Sequence, residues 1–374
     1  MPFTTAAAVS VSVVLNSIGV NTHLDSYQHG YQNLPVTEAA INYLGVKNLR
    51  DSAQHSWSLP IWEKVAAATG ARFDDYMGRG SPAQDRADLS YVKALNDKGI
   101  LNFVEGGEDS DTKVALDAGN SIAWTASFQK QVYSTGHALG LPVINMSFGA
   151  GWTEANDWHG NYDKVGDLSA YADYGNAHTY PAEGQWPNLA ITMLNADARL
   201  AARRRPVITT EIGWDTDKFD RRSIARFVLD AVFDGIKDGD VKMYFHALYD
   251  DNGGKHGLMN SNGTPRPAAR ALHNLTTILH DTGVPRGGSL RYSLSGLASH
   301  DRTLLMRKST GAFQLVLWNE IDSPHTVTLR LPNAAKKVRV FAPLVASTAR
   351  SVATKTATID VALAGQALIV EIDP

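Results

Sequence analysis

Cysteine is absent from the 374-residue chain. Without a thiol there is no disulfide, no thiolate metal ligand and no cysteine nucleophile, and the redox compartment is left open. An excess of one charge is also missing: 35 Lys and Arg face 38 Asp and Glu, for a net charge of −3. No basic footprint points to nucleic acid or an anionic membrane surface. No apolar run approaches the roughly 18 residues of a membrane helix, so membrane insertion is not expected. Walker, Gly-x-Gly-x-x-Gly, His-Glu-x-x-His and Gly-x-Ser-x-Gly patterns are all missing, and no cofactor and no metal are expected. The stretch YDDNGGKHG (Tyr249–Gly257) brings Asp250 and Asp251 near His256, but it matches no standard metal spacing and reads as a Gly-rich loop with solvated acids. The opening MPFTTAAAVSVSVVLNSIGV has neither a basic n-region nor a true h-region, unlike an intact signal peptide.

What the chain does have is a strand-then-helix alternation from about residue 17 to residue 280. Eight β-rich runs recur: Ser17–His23, Gly45–Ser52, Ala71–Met77, Ile100–Gly106, Leu141–Ser147, Tyr174–Tyr180, Pro206–Glu211 and Val241–Tyr249. Capped amphipathic segments lie between them. DRADLSYVKALNDKG starts on a capping Asp85 or Asp88 and stops at Gly99, and Ser121–Gly140 and Asp220–Gly239 show the same apolar spacing and glycine stops. That count and length predict a (β/α)8 barrel over residues 1–283. From 284 to 374 there are only short alternating runs separated by turns, which predicts an all-β sandwich domain. The apolar AAVSVSVV within the first ~15 residues is expected to add an edge strand to one of the two units.

In such a barrel the strand ends share one mouth. The seventh run ends on Glu211, with Trp214 on the loop above it; a carboxylate merely capping that loop is the plainer alternative. The fourth ends in VEGGEDSD, which supplies Glu105, Glu108, Asp109 and Asp111. The second ends in Arg50-Asp51, the sixth in His178 and Tyr180, and the eighth carries His246 and Tyr249. Two acids facing each other beneath aromatic walls suit glycosidic bond cleavage, in which one carboxylate attacks and the other protonates the leaving oxygen. Trp57, Trp62, Trp152 and Trp158 are candidate platforms for pyranose faces, or else aromatics that pack their own loops. His23, Asp25 and His55 read as surface or supporting residues of the first two loops, and Glu105 as a satisfied structural acid.

These segments resemble the clan A retaining glycoside hydrolases, most nearly family 39 and related polysaccharide hydrolases. The resemblance runs through GVNTH (Gly19–His23), LGVKNLRDS (Leu44–Ser52), TEIGW (Thr210–Trp214), HGLMNSNGTPRPAARAL (His256–Leu272) and FQLVLWNE (Phe313–Glu320). It implies Glu211 as nucleophile, Arg50 as the arginine that keeps it ionised, and His178 and Tyr180 as contacts to the sugar or to Glu211. The departure is at the fourth strand. Relatives read Val-Glu-Gly-Pro-Asn-Glu-Pro-Asp there, whereas this chain puts Glu108 at the Asn position and Asp109 at the acid/base position. Gapless alignment favours Asp109 as proton donor and side-chain reach favours Glu108. Both stay open, as does an inverting or transglycosylating outcome. A non-catalytic glycan-binding barrel is the alternative from another class. The expected partner is an oligosaccharide or polysaccharide, contacted by Arg50, His178, Tyr180, Trp214, His246, Tyr249 and Trp152. The expected location is secreted or periplasmic, with a cytoplasmic one not excluded, and the sequence carries no signal of oligomeric state.

Overall fold

The computed structural model describes residues 2–26, 29–78, 81–149, 161–251 and 254–374. Its first strand, β1 (Thr4–Ser10), belongs to a second sheet treated below. The eight β-rich runs fold as β2 (Ile18–Asn21), β3 (Asn48–Asp51), β4 (Arg72–Met77), β5 (Leu101–Gly107), β6 (Val143–Ile144), β7 (Gly175–Thr179), β8 (Val207–Ile212) and β9 (Met243–Phe245). All pair in parallel, in the order β6-β5-β4-β3-β2-β9-β8-β7. A parallel bridge from Ile144 to Tyr174 joins the two ends into a closed (β/α)8 barrel. Parallel strands are covered on both faces, and β3, β7 and β8 are accordingly buried at every position.

Alternation decides which side chains face inward. Phe103, Ile144, Ile208 and Tyr244, from four strands, form a small apolar cluster of their own. Their neighbours Val104, Val143 and Phe245 pack instead into the large cluster shared with the helices. The four therefore plug the inside of the barrel. Two residues beyond Phe103, Glu105 also points inward. In β8 the same rule selects Thr210 after Ile208, but the β7–β8 register slips so that Ala177 faces Thr209 while His178 faces Glu211. This bulge adds one residue to β8 and turns Glu211 inward as well.

Helix Arg221–Asp238 begins on Asp220, whose carboxylate accepts from the backbone of Arg222 and Ser223, and ends at left-handed Gly239 (φ 92°). One expected helix divides. The segment from Asp85 to Gly99 becomes helices Pro82–Leu89 and Val92–Asp97, and Ser81, not Asp85 or Asp88, caps the first. Both aspartates are spent on packing within the fold, with Asp85 accepting from Trp124 Nε1 at 2.7 Å and Asp88 from the backbone of Gly78.

The second sheet contains β10 (Gly288–Ser295), β11 (Asp301–Arg307), β12 (Phe313–Asn319), β13 (His325–Ala342), β14 (Ala346–Leu363) and β15 (Leu368–Asp373), together with β1. Its order is β10-β1-β11-β12-β15-β13-β14, and β10 also pairs with β13, so the sheet rolls around a core that includes Leu315, Leu317, Leu329 and Val370. Two findings depart from expectation. The N-terminal strand is not at an edge: β1 lies between β10 and β11. The runs HTVTLRL and KVRVFAP are one strand, because β13 carries Pro332 and Asn333 in an irregularity between Arg330 and Ala335.

Candidate active site

Arg50, at the end of β3, has no solvent exposure. Its Nε and Nη2 each donate to one oxygen of Glu105 at 2.7 Å, a bidentate pair. Nη1 donates to Asn21 Oδ1 at 2.9 Å, to Glu211 Oε1 at 2.7 Å and, at 3.4 Å, to Glu108 Oε1. The guanidinium also lies 4.3 Å from the Tyr76 ring centre. One cation thus ties together the ends of β2, β3, β5 and β8. Glu105, which also accepts from Asn176 at 2.8 Å, is a satisfied structural acid.

Glu211 has a partner on each oxygen, Arg50 on Oε1 and the Tyr180 hydroxyl, 2.5 Å away, on Oε2. Burial alone would raise its pKa. The His178 and His246 rings, Arg50 and a hydrogen bond with Glu108 outweigh burial and hold the carboxyl well below the usual range. Burial and the Glu211 charge push the Tyr180 phenol well above its ordinary value, so it remains a donor.

His178 Nδ1 lies 2.9 Å from Asp109 Oδ1 and 3.6 Å from Glu211 Oε2. Burial pulls this imidazole down, but the two carboxylates win and lift it to about 9. Asp109 takes a left-handed backbone conformation (φ 45°), and its amide donates to Ser147 Oγ at 3.1 Å. Its carboxyl group rests on the backbone of Gly149, where an added Cβ would come within 2.4 Å of it. His246 Nε2, just past β9, lies 3.3 Å from Asp251 Oδ2, and its ring centre is 5.9 Å from that of Tyr180.

The fold therefore gathers Arg50, Glu108, Asp109, His178, Tyr180, Glu211 and His246 at one end of the barrel. Other candidates lie elsewhere. Trp214 is 2% exposed, with its ring 5.8 Å from Phe227, so it packs the helix beneath the loop and offers no face to a sugar. Tyr249 has no exposure, meets Tyr31 at 4.9 Å and bonds Thr37. Trp62 is a core residue stacked on Phe73. Trp57 stays exposed and stacks on His55. Trp152 and Trp158 lie outside the described residues. Sequence reasoning missed Asn21 and Asn176, whose only signal was their place on inward strand positions. Among the described residues two donor sets are close enough to hold a cation, each with its ligand atoms within 4.8 Å of one another: Glu108, His178 and Glu211, and His23, His246 and Asp251. No helix among them is long and apolar enough to cross a membrane.

A closed parallel barrel whose chain continues into a rolled all-β unit is also the fold of several solved glycoside hydrolases. A family 39 glycoside hydrolase from the gut symbiont Bacteroides cellulosilyticus WH2 has a TM-score of 0.68 at 13% identity, over 98% of this chain and 81% of its own. A monomeric β-xylosidase from Caulobacter crescentus CB15 has a TM-score of 0.66 at 13% identity, over 99% and 98%. The catalytic domain of the family 30 xylanase C from Talaromyces cellulolyticus has a TM-score of 0.62 at 15% identity, over 98% and 99%. The likeness is one of fold. No protein-family model matches the chain, and no curated protein matches it in sequence.

Proposed function

We propose that this protein is a retaining glycoside hydrolase acting on an oligosaccharide or polysaccharide outside the cytoplasm, with Glu211 as nucleophile and Glu108 as acid/base. The observation that carries the reading is that both carboxyls meet the same Arg50 nitrogen, where Glu211 is held ionised. In this reading Glu108 brings the proton to the leaving oxygen, while Glu211 is held in the ionised form.

A Glu211 oxygen attacks the anomeric carbon as the bond to the leaving oxygen breaks, and that oxygen takes the Glu108 proton. Glu108, now a carboxylate, then accepts a proton from water, whose oxygen displaces Glu211 from the anomeric carbon and restores both acids. Arg50, His178 and Tyr180 lower the basicity of Glu211, which eases its departure in the second step. Since solved neighbours include a β-xylosidase and a xylanase, aryl β-xylosides and xylan are the first substrates to assay.

Glu211→Gln is expected to keep its circular dichroism and lose turnover; hydrolysis at the wild-type rate by that variant rejects the assignment. Tight glycan binding by the wild type with no product over the same panel would favour the non-catalytic barrel. A second reading makes Asp109 the proton donor, because its side chain is 13% exposed against 2% for Glu108. Azide rescue on an aryl glycoside with a good leaving group separates the two. Rescue of Glu108→Gln supports the primary reading, and rescue of Asp109→Asn alone transfers the role. Loss of the general acid is expected to slow poorly activated substrates about 10²–10⁴-fold.

A further inference from the structure

We propose that His23, His246 and Asp251 form a divalent-cation site, best suited to Zn²⁺, beside the carboxyl pair at the barrel mouth. Nε2 of His23 lies 3.2 Å from Asp251 Oδ2, and Nε2 of His246 lies 3.3 Å from the same atom. All three ligand atoms fall within 4.8 Å of one another. Donors at ~2.0–2.1 Å from a tetrahedral zinc are separated by ~3.3 Å, the spacing of both measured edges. A charge-assisted N–H···O bond would be shorter, ~2.7–2.9 Å, and His23 Nε2 makes no well-aligned hydrogen bond. Two imidazoles and one carboxylate are a donor set for zinc or a late first-row ion rather than for calcium or magnesium.

The set is held in place by groups outside it. Adjacent strands β2 and β9 pair Val20 with Phe245, which brings His23 and His246 side by side just past their ends. Asp51 Oδ2 accepts from Thr22 Oγ1 at 2.7 Å and from the Leu24 amide at 2.8 Å, clamping the backbone on both sides of His23. Asp250, next to Asp251, accepts from Arg266 at 2.7 and 2.5 Å and from the Gly257 amide at 2.9 Å. His23 and Asp251 stay about one-fifth exposed, so a bound ion keeps an open position toward the mouth for water or a hydroxyl. The other donor set is less suited, because Arg50, Tyr180 and Asp109 already occupy its atoms. Linear motifs could not show the site, since its ligands come from opposite ends of the barrel sequence.

The test is direct binding and does not depend on the glycosidase reading. The full chain, stripped with chelator and dialysed, is titrated with Zn²⁺ by calorimetry and its metal content measured. One equivalent is expected. Co²⁺ in its place should show the visible absorption of a tetrahedral nitrogen–oxygen site. His23→Ala and Asp251→Asn, both at partly exposed positions and each checked for fold by circular dichroism, should lose that equivalent, whereas Glu108→Gln should keep it. Absence of stoichiometric binding by folded protein overturns the proposal, as does binding that survives in folded His23→Ala and Asp251→Asn.

Discussion

A guanidinium with no solvent exposure persists at Arg50 because its donors meet carboxylates and an amide from three other barrel strands. Removing it leaves Glu105 and Glu211 buried without their cation. Arg50→Leu is therefore expected to cost about 3–5 kcal/mol, read as a lower urea midpoint, in addition to its effect on any activity. His178 gives the site a pH dependence of definite sign. Its folded value, about 9, lies above its ordinary 6.5. The ion pairs to Glu211 and Asp109 thus contribute fully below about 6.5 and fade as pH rises through about 9. Thermal midpoints measured across that window should fall with pH, and His178→Asn should flatten that slope; a slope unchanged in the variant would place the titration elsewhere.

Among elements, β8 does the most to create the site, through a bulge rather than through composition. Every residue of VITTEI is buried, so the apolar and polar pattern does not say which faces inward, and strict alternation would send Glu211 outward. The alternation of β and α segments was legible because each element keeps its own period, and so was the gathering of acids at strand ends. The bulge, the buried fate of Trp214 and Tyr249 and the insertion of β1 between β10 and β11 were not, since each depends on pairings distant in sequence. Capping was misread at Asp85, where Ser81 holds the cap, whereas the glycine stop at Gly239 was legible, and Asp220 caps the start of that helix. Asp220→Ala should cost about 0.5–2 kcal/mol, measured by denaturant unfolding. In the segment after β6, Gly149→Ala should push the Asp109 carboxyl off its seat, because the new methyl group would overlap it. The pH dependence set by His178 should then move to lower pH with little change in global stability.

At the scale of the molecule, the barrel and the all-β unit share one core. Trp318 of β12 is fully buried, packs 5.6 Å from Phe233 and donates to Asp234 at 3.0 Å, and Met306, Val316 and Ile369 join the same apolar cluster as the barrel helices. The chain also crosses between the units twice, because β1 lies in the second sheet before the barrel begins. Neither unit is complete without the other: the barrel helices would expose that cluster, and residues 284–374 alone would lack β1 between β10 and β11. Unfolding should therefore be a single transition by calorimetry, with coincident fluorescence and circular dichroism. Trp318→Ala should lower stability by about 3–5 kcal/mol while keeping that single transition, because the cavity opens in the shared core and not within one unit. Two resolved transitions in the wild-type protein would mean that the shared cluster does not couple the halves, and the variant would then shift only one of them.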